Sequence, residues 1–195
     1  MVRDEASEVA GGEPRARGIA LWLVPEPEAG QALGRLIATL ARRLGTPPFD
    51  PHVTLLAGLT RPAEEVARRA EGLANGIESA LTLSLRTPEG TEEPFRCLYL
   101  PVQPTFNLLA AQALARATFG VDQEGSFAPH LSLVYGRLEA AQKVALASEV
   151  ATELPGPTRF DTLDVVRTTG PVSRWGRIAR FRLGSPAAGQ YGERD

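Results

Sequence analysis

Apolar and polar positions along the chain follow two alternating periods. Gly18 to Val24 (GIALWLV) is a short apolar run between a charged leader and Pro25, the pattern of a buried strand. Leu33, Leu36, Ile37 and Leu40 recur at helical spacing, with Leu44 one turn further, and Gly45, Pro47 and Pro48 end that helix. His52 to Leu59 (HVTLLAGL) reads as a second strand. A second helix is expected from about Pro62 to Leu73, with Pro62 near its first position and Thr60 as N-cap. Ala80 to Leu85 sets Leu81, Leu83 and Leu85 against Thr82 and Ser84, the period of a half-exposed strand. Phe95 to Val102 (FRCLYLPV) is its expected hairpin partner across the polar loop TPEGTEEP.

The second half repeats this order. Pro104 opens a helix to about Thr118 that carries Leu108, Leu109 and Leu114. His130 to Tyr135 (HLSLVY) is a strand, and Glu139 to Leu154 a helix with Val144, Leu146 and Val150. Thr158 to Val166 and Ile178 to Leu183 are the closing strands. Each half thus holds a helix, a histidine-bearing strand, a second helix and two further strands. The repeat is sharpest in two strings, PHVTLLAG from Pro51 and PHLSLVYG from Pro129. Residues 1–17 read as a flexible leader, 18–183 as one bilobal domain, and 184–195 as a polar tail.

Side chains two apart on a strand share a face. His52 therefore shares a face with Thr54, and His130 with Ser132, while Val53, Leu55, Leu131 and Leu133 point into a core. Halves packed about a pseudo-two-fold axis would turn the two polar faces toward each other across a groove. Imidazole, with an ordinary pKa of about 6.5, can then serve as base on one side and acid on the other. The hydroxyls of Thr54 and Ser132 can donate to phosphoryl oxygens as negative charge develops. A lone strand histidine is more often a hydrogen-bonded core residue. Here the only two histidines of the chain occupy matching strings of a repeat, and that duplication favours chemistry.

Composition narrows the classes. A net charge of −2 argues against a protein that coats nucleic acid non-specifically. The single cysteine, Cys97, permits no intrachain disulfide and no thiolate metal cluster, and reads as a small core residue. Two histidines and one cysteine offer few zinc ligands, and neither histidine string supplies an obvious third, so no metal and no cofactor are expected. The first residues lack the apolar core of a signal peptide, and no apolar run approaches a membrane span. A cytoplasmic protein without membrane attachment or obligate protein partner, acting as a monomer, is the expectation. GGEP in the leader has neither the lysine ending nor the preceding strand of a phosphate loop.

The strings His52-Val53-Thr54-Leu55 and His130-Leu131-Ser132-Leu133 resemble the duplicated His-x-Thr/Ser-x motif of the 2H phosphoesterase superfamily. Their separation, 130 − 52 = 78 residues, is similar to the family's. Phe95 to Leu100, Tyr135 after the second motif, and Thr169-Gly170-Pro171-Val172 leading to Trp175 resemble the cyclic phosphodiesterase-like branch of plant and fungal type. The likeness runs from about Gly18 to Leu183. It implies a bilobal α+β fold of duplicated antiparallel sheets, with helices outside and a cleft between. It also implies metal-independent opening of 2′,3′-cyclic nucleotides or of ADP-ribose 1″,2″-cyclic phosphate, with His52, Thr54, His130 and Ser132 as the motif residues. The chain lacks the extra cysteines of the plant enzymes, so redox control through disulfides is not implied. An RNA 2′–5′ ligase or RNA-end phosphodiesterase on the same scaffold, and a nucleotide-binding module without turnover, are the competing readings.

Two further features concern substrate contact. Tyr135 lies an odd number of positions from Ser132, so it reaches the groove only if the strand ends or bulges near Val134, which Gly136 permits. Trp175 could stack on a base or sit as an amphipathic rim residue. The five arginines between Arg167 and Arg182 read mainly as a solvated strand edge, with a positive lip as the alternative.

Overall fold

The computed structural model describes residues 13–122, 126–152 and 155–184. The leader through residue 12, the end of the helix expected to reach Leu154, and positions 185–195 of the tail lie outside the described residues. Strand β1 (Arg15–Ala16) is followed by β2 (Ile19–Pro25), α1 (Pro27–Leu44), β3 (Val53–Leu59), α2 (Ala63–Gly76) and β4 (Leu81–Leu83). A 3₁₀ turn (Pro94–Arg96) leads into β5 (Leu98–Pro101), α3 (Phe106–Phe119), β6 (His130–Val134), α4 (Ala140–Ala151) and β7 (Thr158–Arg167). The short β8 (Gly170–Pro171), a second 3₁₀ turn (Val172–Arg174) and β9 (Gly176–Arg182) complete the described chain. The duplication is therefore β2-α1-β3-α2-β4 followed by β5-α3-β6-α4-β7.

Helix ends follow local chemistry. Gly45 closes α1 in the left-handed conformation, φ 66°, with its N–H on the Ala41 carbonyl. Thr105 caps α3 by accepting from the Leu108 N–H, and Glu139 with Gln142 forms a capping box on α4. At α2 the expectation fails by two residues. Pro62, not Thr60, is the N-cap, no side chain caps it, and the helix starts at Ala63.

The two antiparallel sheets of the halves join as one, in the order β4-β7-β2-β3-β6-β5, with β9 also on β7. The junction is the pairing of Val53 with Leu131. These residues are also 131 − 53 = 78 apart, so equivalent positions of the two copies pair with each other. An antiparallel pair of equivalents lies on a local two-fold axis, and one residue further His52 stands opposite Ser132 and Thr54 opposite His130. One expected pairing is wrong. β4 does not form a hairpin with β5; Leu81 and Leu83 pair with Phe160 and Thr158 of β7. β5 pairs with β6 instead, and the expected hairpin survives only as the isolated antiparallel bridges Leu85–Val102 and Glu89–Tyr99. The alternation of β4 determines which face is buried but not which neighbour it takes, and β7 buries Leu81 and Leu83 in the main core.

The four helices cover one face of the sheet. Leu33, Ile37 and Leu40 of α1, Val66, Ala70 and Leu73 of α2, Leu108 of α3 and Leu146 of α4 join Leu21, Leu23, Val53, Leu131 and Val165 in a single core. The opposite face carries Ala20, Trp22 and Val166, with Val24 and Trp175 against them. It is this second face that the groove occupies. β1, within the expected leader, pairs with β8 at the groove's edge, and the Glu13 carboxylate there accepts from the Ser173 hydroxyl at 2.8 Å.

Candidate active site

His52 and His130 enter one pocket of about 220 Å³ together with Thr54, Ser132, Tyr135 and Trp175. The two rings are held alike. Nδ1 of His52 lies 2.6 Å from the Asp50 carbonyl, and Nδ1 of His130 lies 3.0 Å from the Ala128 carbonyl, each two residues earlier in the chain. A carbonyl only accepts, so Nδ1 carries the hydrogen in both rings, and a neutral ring presents the lone pair of Nε2.

Their surroundings differ. His52 is only 5% exposed and stacks on Trp22, with centroids 3.6 Å apart and planes within 10°. Desolvation holds its pKa down to about 3, offset in part by the Asp50 carbonyl and deepened by the charge of His130. His130 is half-buried, edge-on to Tyr99 at 5.4 Å. Its pKa is also lowered, first by desolvation and further by the Arg96 cation, while the Ala128 carbonyl and Glu93 act the other way. The register matches this pairing: Trp22 lies opposite Thr54, and Tyr99 opposite Ser132.

The hydroxyls are not equivalent either. Ser132 Oγ donates to the Phe95 carbonyl at 2.7 Å, which ties the first 3₁₀ turn to the second motif. β6 ends at Val134 and Gly136 has φ 144°, so Tyr135 turns into the pocket. Its hydroxyl lies 3.3 Å from His52 Nε2 and donates to it, and its ring stacks on Phe49 at 3.7 Å. Burial pushes the Tyr135 pKa well up, so the phenol keeps its proton. Trp175 donates from Nε1 to the Gly170 carbonyl and stands within 6 Å of Trp22, Phe95 and Tyr135.

Trp22, Phe95 and Arg96 are among the pocket residues that escaped the sequence reading. Trp22 sat in a strand taken as buried on both sides, although Ala20, Trp22 and Val24 alternate with the core residues Leu21 and Leu23. Phe95 and Arg96 lay inside a presumed strand that is in fact a 3₁₀ turn; a lone cation in an otherwise apolar string was the available signal for Arg96. Of the arginine segment, Arg180 forms a two-pronged pair with buried Asp164 at 2.6 and 2.7 Å, and Arg182 approaches Asp161 at 3.6 Å. None of those five arginines lines the histidine pocket. Cys97 is buried and unpaired. Among the described residues no group of three or more His, Cys, Asp and Glu side chains could hold a metal ion, and no helix is long and apolar enough to cross a membrane.

Comparison with known proteins gives a consistent picture. The family model for cyclic phosphodiesterase-like proteins matches residues 17–183. A cyclic phosphodiesterase of Arabidopsis thaliana is 27% identical over 124 residues, covering 64% of this chain and 68% of that protein. Among solved structures, ligand-free E. coli LigT superposes with a TM-score of 0.57 at 17% identity, covering 89% of this chain and 100% of that one. E. coli LigT complexed with 3′-AMP superposes at 0.54 and 16% identity, covering 86% and 98%.

Proposed function

This chain belongs to the cyclic phosphodiesterase-like family, a family of phosphodiesterases, and we propose that it opens cyclic phosphates of the 2′,3′-nucleotide or ADP-ribose 1″,2″ type by acid–base catalysis between His52 and His130. The observation that carries this reading is the matched tethering of both rings. Each Nδ1 is held by the carbonyl two residues back, and both imidazoles line one pocket beside a hydroxyl.

In this scheme a water attacks phosphorus, the bond from phosphorus to one ring ester oxygen breaks, and a phosphomonoester remains. His52 takes the proton from water at Nε2. Burial against Trp22 keeps that ring neutral near pH 7, as a base must be. His130, more exposed and beside Glu93, gives a proton to the departing alkoxide; the incoming phosphate anion favours its charged form. Thr54 donates to a non-bridging oxygen, and Ser132 does so by turning from the Phe95 carbonyl. Tyr135 orients His52, and Trp22, Phe95 and Trp175 offer flat apolar surface to a base. Every proton in the scheme moves through a side chain of this protein. The 3′-AMP bound by LigT is a phosphomonoester, the kind of product that ring opening leaves.

The test is turnover of 2′,3′-cyclic nucleotides and ADP-ribose 1″,2″-cyclic phosphate by EDTA-treated protein. Activity is expected to survive chelation and to fall about 10²–10⁴-fold in His52→Ala and in His130→Ala. Activity retained in both variants, or abolished by chelator, refutes the mechanism. Bis(4-nitrophenyl) phosphate separates the roles, since its leaving group needs no proton. His130→Ala should be much the less damaged variant on it, and equal damage would refute the assignment of acid and base.

A further inference from the structure

The two halves present different chemistry to the pocket. Beside His52 lies the apolar face of Trp22; beside His130 lies a cation, Arg96, at the end of the 3₁₀ turn that Ser132 fastens through the Phe95 carbonyl. Arg96 lines the pocket, and its guanidinium carbon stands 4.8 Å from the centre of the Tyr99 ring. Nη2 donates weakly to the Tyr99 hydroxyl at 3.4 Å, and that hydroxyl itself donates to Glu89 at 2.8 Å. A chain Glu89–Tyr99–Arg96 therefore aims the guanidinium at the second motif.

The pairing of Arg96 within the protein is incomplete. Its Nε is buried and has no hydrogen-bond partner among the described residues. Its nearest carboxylate, Glu93, is 3.6 Å away and 66% exposed, so water screens much of that contact. The Arg96 side chain is only 27% exposed. A cation partly removed from water without a close counter-ion costs free energy that an entering anion would relieve. Burial disfavours the charged form of both histidines, and among the described residues Arg17 is the only other arginine lining the pocket, so few other cations there face a phosphate.

We propose that Arg96 is the anion-binding residue of this pocket, gripping the non-bridging oxygens of a phosphodiester and of the phosphomonoester it becomes, with Tyr99 and Glu89 as positioning residues. This rests on the phosphodiesterase reading for the substrate but not for the anion contact. Planar guanidinium geometry suits two phosphoryl oxygens at once, which a lysine cannot reproduce. Arg96 thereby orients the substrate, with the phosphate drawn to the His130 side and the base left to the tryptophans.

Calorimetric titration of the whole chain with a nucleoside 2′-monophosphate reads the contact without turnover. Arg96→Met should weaken binding about ten- to hundredfold, and Arg96→Lys should recover only part of the loss. Tyr99→Phe should raise KM for a cyclic nucleotide with little change in kcat. Removing the cation should also raise the pKa of His130, followed by NMR, because its charge opposes the imidazolium while Glu93 and the Tyr99 edge remain. Unchanged affinity in Arg96→Met overturns the proposal, as does an equal loss of affinity for the uncharged nucleoside, which would mean that the pocket had collapsed. If the monophosphate binds through Arg96 while no cyclic phosphate is opened, the proposed function fails and the anion site stands. If His52→Ala and His130→Ala abolish turnover but Arg96→Met binds normally, the reverse holds.

Discussion

Replacing His52 by glutamine removes a titrating ring from the interior, and the consequence for stability can be worked out. In the unfolded chain this imidazole titrates near 6.5; in the fold, burial against Trp22 holds it down to about 3. Below pH 6.5 the unfolded state takes up a proton that the folded state refuses. The group's contribution is therefore intact above 6.5 and is lost progressively as pH falls toward 3, by about 1.4 kcal/mol per pH unit. Between about pH 7.5 and about pH 5 the loss comes to about 2 kcal/mol, and a folded value one unit higher barely changes it. Against a total stability of about 5–15 kcal/mol this is measurable. Urea unfolding of wild type and His52→Gln at both pH values isolates the effect, since every other group titrates in both proteins. Wild type should lose about 2 kcal/mol more than the variant over that interval. Equal losses would mean that the ring is not held neutral, and would remove the physical basis for His52 as a base.

Tyr135→Phe keeps the stack on Phe49 but deletes the donor to His52 Nε2, which stabilises the neutral ring; the His52 pKa should rise in an NMR titration, and a fall would contradict that bond's direction. Leu131→Ala empties a fully buried position on the pseudo-two-fold axis opposite Val53. It should cost about 2–5 kcal/mol in urea unfolding, and a loss well below that would show the junction between the halves to be loosely packed. The pH dependence of kcat/KM should be bell-shaped, with an acid limb from His52 and a basic limb from His130 below the ordinary 6.5, because both folded values are lowered. A profile that rises steadily above pH 7 would contradict it.

What could be read from the chain was local or periodic. The apolar runs GIALWLV and HVTLLAGL located β2 and β3, and Gly45 marked the end of α1 because only the left-handed conformation closes that turn cheaply. The shared faces of His52 with Thr54 and of His130 with Ser132 follow from the two-residue strand repeat, and all four line one pocket. The internal repeat even carried the symmetry, since one 78-residue offset relates both His52 to His130 and Val53 to Leu131.

Tertiary structure decided everything that depends on which strand meets which. β4 took β7 rather than β5, since several neighbours could satisfy the same alternation and only the closed core selects one. Tyr135 met His52 across 83 residues because β6 stops at Val134 and pairs beside β3. Trp22 became the wall behind His52, and Arg96 the cation near His130, through packing between segments far apart in sequence. The two motifs are nearly equivalent as strings. Burial on one side and partial exposure beside a cation on the other make them unequal, because a ring's proton affinity is set by its surroundings and not by its sequence neighbours.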